Sequence, residues 1–312
     1  MANLQHISVM RDECIDALNI KDGGIYFDGT LGGGGHSFEI LKKSSPNGKL
    51  VATDLDDYAI ARASERLLEF GERFTPVKSN FKNFKEIKER LNIEGFDGIL
   101  LDLGVSSFQL DDRSRGFSYL GENELLDMRM DKGNPLSAKT IVNTYSENQL
   151  FTILNEYGEE KFSKSIARNI VLARKNKEIL TVGELNAIID KSIPAKFKQD
   201  GHPSKRTFQA LRIEVNGELD GLYETVLDMA RGLKKGGRLA ILTFHSLEDR
   251  IVKRAFKELE TDCICDKSLP VCVCGKKREI KIITKHPMLP TEEELKINSR
   301  SKSAKLRIAE KI

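Results

Sequence analysis

Residues 25–103 alternate between short apolar runs and stretches with the hydrophobic period of a helix. The apolar runs predict strands, and the periodic stretches between them predict helices. Strands that alternate with helices are joined by crossovers and form a parallel, doubly wound sheet. The predicted strands span 25–28, 49–54, 74–79 and 96–102, and the predicted helices span 37–43, 56–70 and 81–91.

The pattern changes after residue 110. Residues 111–208 show helical periodicity and no convincing strand, as in the amphipathic stretch 163–177. The α/β pattern then resumes with a helix ending near Leu233, a Lys-Gly-Gly stop signal, an apolar strand over 238–244 and a closing antiparallel pair. We therefore predict one α/β domain, formed by 1–110 and 209–312 and interrupted by an all-helical insertion over 111–208.

Composition narrows the class of protein. The chain has 312 residues, of which 39% are hydrophobic and 31% are charged, which suits a folded core better than a disordered chain. No apolar run reaches the roughly 18 residues of a membrane span, and residues 1–18 lack the apolar centre of a signal peptide. We expect a cytoplasmic protein without a membrane partner, in which five cysteines form no disulfide framework.

Charge is uneven along the chain although the net charge is only +3. Residues 159–206 carry 11 Lys/Arg against 6 Asp/Glu, and residues 248–312 carry 16 against 11. Such segments fit an anionic partner such as RNA, and equally fit solvated helix faces.

The strongest local signal is the glycine-rich sequence Asp-Gly-Thr-Leu-Gly-Gly-Gly-Gly-His-Ser over 28–37, which follows the first strand. The dinucleotide fingerprint fails because Ser37 stands where its third glycine should be. The P-loop pattern fails because Gly35 replaces its lysine. Asp54 ends the next strand, where its carboxylate is placed to accept the hydroxyls of a ribose. Adenosine within S-adenosylmethionine suits this site better than NAD; the alternative is a tight turn with Asp54 capping a helix.

Asp102 ends the fourth predicted strand, at the edge where open α/β sheets bind ligands. It would point toward the reacting end of a cofactor, or it would simply cap a loop. The Asp/Asn-Pro-Pro-aromatic motif of many amino-methyltransferases is absent here. The five cysteines lie far from this loop in sequence, which argues against covalent activation of a base.

Seven motifs resemble the RsmH (MraW) family in order and spacing across nearly the whole chain. They are Phe27–Thr30, Gly34–Ser37, Asp97–Ser107, Leu126–Met130, Tyr157–Glu160, Thr207–Ile213 and Phe244–Arg250. The resemblance implies a class I Rossmann-like methyltransferase. It would use S-adenosylmethionine to methylate the exocyclic N4 of a cytosine in 16S ribosomal RNA, at the decoding centre of the small subunit.

The resemblance also implies which residues contact the cofactor: Gly34, Gly35, His36, Asp54, Phe81, Asp102 and Gln109. Phe81 would pack on adenine or be a core aromatic, and His36 would be a ligand contact or a helix-start residue. His245-Ser246 lacks the surroundings of a hydrolase serine and is interpreted as loop structure or a substrate contact. We assign catalysis to Asp102, as an acceptor that bonds the amine and takes its proton late during direct in-line transfer.

Two further sets of residues are predicted to bind. We expect basic residues of the insertion to hold phosphates of a flipped-out RNA segment, namely Arg113, Arg115, Lys164, Arg168, Lys205 and Arg206. Four thiols with Cys-x-Cys spacing are candidates for a structural zinc site near the RNA surface, or are reduced surface thiols: Cys263, Cys265, Cys272 and Cys274.

Several questions stay open at this point. The chain would act as a monomer or homodimer, on naked RNA or on an assembled subunit. Two other functions are a methyltransferase acting on a protein or metabolite and a non-catalytic RNA-binding assembly factor.

Overall fold

Seven strands form one mixed sheet in the computed structural model, which describes residues 8–198, 202–266 and 271–312. Residues 1–7, at the start of the predicted α/β domain, lie outside the described residues. The strands are β1 (Ile25–Asp28), β2 (Lys49–Asp54), β3 (Phe74–Lys78), β4 (Phe96–Asp102), β5 (Leu233–Thr243), β6 (Ile280–Ile282) and β7 (Lys305–Lys311).

The sheet order is β3-β2-β1-β4-β5-β7-β6. The pairs β3–β2, β2–β1, β1–β4 and β4–β5 are parallel, whereas β7 is antiparallel to both β5 and β6. The chain thus runs outward from β1 to β3, then returns to β4 on the other side of β1. This reversal leaves a crevice at the carboxyl ends of the strands, where open α/β sheets bind ligands.

The helices alternate with the strands up to β4, follow one another without strands in the described part of residues 107–231, and alternate with the strands again from β5. They are α1 (Arg11–Ala17), α2 (Gly35–Lys43), α3 (Asp57–Arg66), α4 (Phe84–Arg90), α5 (Ser107–Asp111), α6 (Ala138–Thr144), α7 (Glu147–Glu156), α8 (Ser163–Arg174), α9 (Val182–Ser192), α10 (Lys205–Asn216), α11 (Leu222–Arg231), α12 (Ser246–Glu260) and α13 (Glu292–Ile297). None of the helices in the described ranges is long and apolar enough to cross a membrane.

The chain divides into two compact units. The sheet unit contains the described residues up to Gly104 together with Leu219–Ile312, and the helical unit is Val105–Glu218. The predicted boundaries at 110/111 and 208/209 are therefore displaced. The second shift arises because α10 packs within the helical core through Phe208, Leu211 and Val215, so the whole helix belongs to that unit.

Alternate residues of the central strands serve different cores. Tyr26 and Leu100 belong to one apolar cluster of the sheet unit, whereas Phe27 and Ile99 belong to the other. Successive side chains of a strand point to opposite faces, so both faces of the sheet are covered. Burial on both faces fixes the register of β1 and β4, and with it the positions of the residues that end these strands.

The strand before the closing pair begins earlier than predicted. The helix ends at Arg231, and β5 starts at Leu233, which pairs with Phe96 and is buried in the core. The predicted stop signal lies inside this strand, where the register shifts and Gly236 adopts a φ of 77°. The Lys-Gly-Gly sequence therefore forms an irregularity of the strand and not the end of a helix.

Candidate active site

Three aspartates end three adjacent strands of the sheet. Asp28, Asp54 and Asp102 are the last residues of β1, β2 and β4, which lie side by side with β1 in the centre. Parallel strands bring their carboxyl ends to one edge, so these carboxylates gather at the crevice where the strand order reverses. A group of carboxylates there favours a cationic or hydroxyl-bearing ligand and disfavours a pyrophosphate.

The glycine-rich loop connects β1 to α2 and needs glycine for conformation and for space. Gly34 is the residue before α2 and has a φ of 71°, in the left-handed region. A Cβ on Gly34 would lie 3.2 Å from the Cβ of Ala63, and a Cβ on Gly35 would lie 2.0 Å from Ser8 Oγ. The loop thus lies close against its neighbours and leaves the amino end of α2 at the same edge as the aspartates.

Asp54 is fixed by backbone donors. Its Oδ2 accepts a hydrogen bond from Gly32 N at 2.9 Å, and its Oδ1 accepts one from Asp56 N at 2.9 Å. Burial raises the pKa of Asp54, although these bonds oppose the increase. A carboxylate has about four lone-pair sites, so Asp54 keeps capacity to accept a ribose hydroxyl as well. The capping alternative is wrong for Asp54, since Asp56 caps α3 by accepting from Tyr58 N.

A chain of hydrogen bonds connects the other two aspartates. The hydroxyl of Ser37 donates to Asp28 Oδ2 at 2.7 Å, and the backbone N–H of Thr30 donates to Asp28 Oδ1 at 3.0 Å. The Thr30 hydroxyl oxygen in turn accepts the N–H of Asp102 at 2.7 Å. Sequence reasoning missed Asp28 as a site residue, although its place at the end of a buried strand was a usable signal.

Asp102 has the most perturbed carboxyl group of the site. Burial first, and then the charges of Asp28 and Glu248, together raise its pKa to about 8. Within the described part of the chain, no hydrogen bond reaches its carboxylate, and His36 Nδ1 lies 3.7 Å away, beyond hydrogen-bonding distance. The side chain remains 26% exposed, so a ligand can reach it. Such a group is typical of a functional site.

Glu248 lies far along the sequence yet acts on Asp102. It is 2% exposed, and its Oε2 accepts the N–H groups of Phe244 and His245 at 2.8 and 3.2 Å. His245 is the residue that caps α12, and Glu248 completes its capping box. The interpretation of His245 as loop structure therefore fits. The effect of the Glu248 charge on the pKa of Asp102 was not predicted.

The remaining predicted cofactor residues lie in both units. His36 is buried, and its Nε2 donates to the carbonyl of Val9 at 3.1 Å. Phe81 begins a 3-10 helix after β3, is half-buried, and has its Cβ 3.0 Å from the position of a Cβ on Gly29. Gln109 lies in the helical unit, where its Oε1 accepts from Ser106 N in the capping box of α5. The roles of all three in cofactor binding stay predictions.

The predicted RNA-binding residues all lie in the helical unit. Lys164 and Arg168 are four residues apart on α8 and exposed, as are Lys205 and Arg206 in the first turn of α10. Arg113 is exposed as well. Arg206 also donates to the carbonyl of Glu159 at 3.1 Å. The sixth residue, Arg115, is partly buried, donates to two backbone carbonyls, at Arg129 and Met130, and lies over the ring of Phe117. Its interactions hold a turn of the unit together, which makes it the weakest of the six predictions.

The four clustered cysteines lie in the sheet unit, in the segment between α12 and β6. Their sulfur atoms all lie within 4.8 Å of one another. The fifth cysteine, Cys14, is buried in an apolar cluster on α1. The four thiols selected from the sequence thus lie close together in the structure, and zinc binding by them stays a prediction.

The strand order with an antiparallel β7, and the carboxylate-lined crevice at the strand reversal, are those of a class I methyltransferase. This confirms the fold class predicted from the sequence. The chain belongs to the MraW methylase family, whose family model matches residues 3–312.

Curated relatives cover almost the whole chain. It is 58% identical over 308 residues to ribosomal RNA small subunit methyltransferase H 2 of Agathobacter rectalis, covering 98% of each chain. It is also 58% identical to ribosomal RNA small subunit methyltransferase H of Clostridium botulinum (strain Kyoto / Type A2), with 99% of each chain covered. The protein of that name from Lachnospira eligens is 55% identical over 309 residues.

Proposed function

We propose that this protein transfers a methyl group from S-adenosylmethionine to the exocyclic N4 of a cytosine in 16S ribosomal RNA, at the decoding centre. Family membership and the printed names of its relatives support the reaction class and the RNA. The observation that carries the chemistry is the partly buried Asp102 carboxyl at the strand reversal, which a ligand can reach and which has no hydrogen-bond partner in the described residues.

The residues present fit the proposed methyl donor. S-adenosylmethionine supplies a methyl group already activated by a sulfonium charge, and its ribose offers two hydroxyl donors. Asp54 would accept those hydroxyls, and the glycine loop with Gly34 and Gly35 would lie against the adenosyl part. A sulfonium cation nearby would favour the ionised form of the Asp28 and Asp102 carboxyl groups, whereas the loop has no lysine that would hold a phosphate.

Asp102 would act on the nucleophile. The lone pair of a cytosine amine is delocalised into the ring, so the amine must be oriented and its proton accepted as the new bond forms. A carboxyl group with a pKa of about 8 holds a proton more readily than an ordinary aspartate, which suits a group that takes the amine proton. Alignment of the amine with the methyl group could contribute up to roughly 7–11 kcal/mol.

The exposed cations of the helical unit would hold the RNA. Lys205 and Arg206 stand in the first turn of a 12-residue helix, where the helix dipole disfavours positive charge. A phosphate bound near them would offset that cost, because it interacts favourably with both the cations and the helix end. Lys164 and Arg168 would add two contacts from one face of α8.

Pre-steady-state transfer with Asp102→Ala tests this assignment. We expect the rate of transfer to fall by about a hundredfold or more while the affinity for S-adenosylmethionine changes little. In the unmodified enzyme, kcat/KM should rise with pH toward about 8, since the acceptor must be ionised in the free enzyme. Equal losses in cofactor affinity and transfer rate would show that Asp102 acts in binding alone. Methyl incorporation into a protein fraction would show that the substrate is a protein and not RNA.

Zinc at the four clustered cysteines is a separate proposal, on which methyl transfer does not depend.

A further inference from the structure

The described residues between α12 and β6 lack the apolar packing that normally orders a loop. At the base of this segment, Glu279 N donates to Leu259 O at 2.8 Å and Arg278 Nε donates to Glu260 O at 3.1 Å. Beyond this base, none of the described residues in 261–266 and 271–278 is buried. Three apolar side chains among these described residues point outward, with Ile264, Val271 and Val273 at 69, 70 and 77% exposed.

The four thiols nevertheless converge. The sulfur of Cys272 lies 3.4, 3.9 and 3.5 Å from the sulfurs of Cys263, Cys265 and Cys274, and the Cys274 and Cys263 sulfurs are 3.9 Å apart. A disulfide would need a bond of about 2.05 Å, so these thiols are not bonded in pairs. Four sulfurs that each lie about 2.3 Å from a zinc ion in a tetrahedron are about 3.8 Å apart. The observed separations therefore match a tetrahedral tetrathiolate site.

The backbone donates to the sulfurs as well. Ile264 N donates to Cys274 Sγ at 3.4 Å, and Val273 N donates to Cys265 Sγ at 3.3 Å. Each donor is the middle residue of one Cys-x-Cys motif, and it donates to a cysteine sulfur of the other motif. Hydrogen bonds of this kind stabilise thiolate charge, and they orient ligands around a metal in the way that outer-shell partners do.

We propose that Cys263, Cys265, Cys272 and Cys274 bind one structural zinc ion, which takes the place of a hydrophobic core in this loop. Four protein thiolates complete the tetrahedral shell and leave no position for substrate, so the ion would be structural and not catalytic. The ion would keep the apolar side chains of Ile264, Val271 and Val273 pointing outward. It would also fix the start of the basic run Lys276–Arg278, which leads into β6.

Metal analysis of the full-length protein, purified without chelators, tests the proposal. We expect about one zinc per chain by mass spectrometry of the metal, and about none in Cys265→Ser or Cys274→Ser. Cys14→Ala is the matched control, since it removes a cysteine outside the cluster and should keep the full zinc content. Reconstitution with cobalt should give the absorption of a tetrahedral thiolate complex in the unmodified chain and in the control only.

A second readout covers variants that fail to fold. Chelation of the unmodified protein should expose the loop to limited proteolysis between Asp262 and Gly275, and added zinc should restore resistance. The proposal is overturned by zinc below about a tenth of an equivalent together with no cobalt complex, or by mass spectra showing two disulfides in the native protein. None of these readouts uses methyl transfer, so the result stands apart from the proposed activity.

Discussion

Replacement of Asp102 by asparagine should stabilise the protein, and the gain should grow with pH. The pKa of this carboxyl is raised from 3.8 to about 8 in the folded chain, by burial first and by the charges of Asp28 and Glu248 next. The folded state therefore keeps a proton that the unfolded state has released over this range. Stability contributed by the protonated group is complete below the unfolded pKa and is lost as pH rises through the folded pKa.

The size of the effect follows from the width of this interval. Each pH unit between the two pKa values changes the free energy of unfolding by about 1.4 kcal/mol. Over roughly four units the loss reaches at most about 6 kcal/mol, and it levels off above about pH 8. Asparagine cannot ionise, so the free energy of unfolding of Asp102→Asn should rise relative to that of the unmodified protein by about 1.4 kcal/mol per pH unit.

Urea unfolding followed by far-ultraviolet circular dichroism measures the difference, because the chain contains no tryptophan for fluorescence. Titrations between about pH 5 and pH 9 should show the gap between the variant and the unmodified protein widening up to about pH 8 and then levelling off. Asp57→Asn is the control, since this carboxylate is exposed on α3 and its variant should show no such trend. A gap that stays constant with pH, or a variant that is less stable at pH 8, would refute the electrostatic account of the site.

Three further outcomes test the remaining parts of the site. Gly34→Ala should cost about 1–2 kcal/mol more in unfolding free energy than Gly71→Ala and should weaken S-adenosylmethionine binding in calorimetry. Both positions have positive φ, but only Gly34 has a neighbour within 4 Å, so equal costs would contradict the close approach of the loop. Asp54→Asn should weaken cofactor binding by about tenfold to a hundredfold with the fold retained, and unchanged affinity would remove Asp54 from the ribose. Lys164→Ala and Arg168→Ala should each reduce the slope of log affinity for RNA against log salt by about one, and unchanged slopes would exclude α8 from the RNA interface.

Much of the sheet could be predicted because the relevant signals are local. The strand at 96–102 was bounded correctly from its apolar run alone, and the loop after 28 was recognised from its glycines. The ends of parallel strands meet at one edge whatever follows them in the chain, so Asp54 and Asp102 could be placed at one crevice in advance.

Other features depended on contacts that are distant in sequence. Periodicity shows that α10 is amphipathic but not which core its apolar face enters, so the boundary of the helical unit was misplaced. The field on Asp102 comes partly from Glu248, which the chain brings close only after the sheet has formed. Similarly, the carbonyl partners of Arg115 appear only in the folded turn, and basic composition alone cannot distinguish this residue from a phosphate-binding arginine.

Nucleoside mass spectrometry tests the central claim most directly. Small ribosomal subunits, and naked 16S RNA in parallel, would be taken from cells lacking this activity and incubated with the purified chain and S-adenosylmethionine. The account predicts a single new N4-methylcytidine in decoding-centre RNA, which is absent with Asp102→Ala. A methyl group on cytosine C5, on another base or on protein, or no methyl group at all with either substrate, would contradict it.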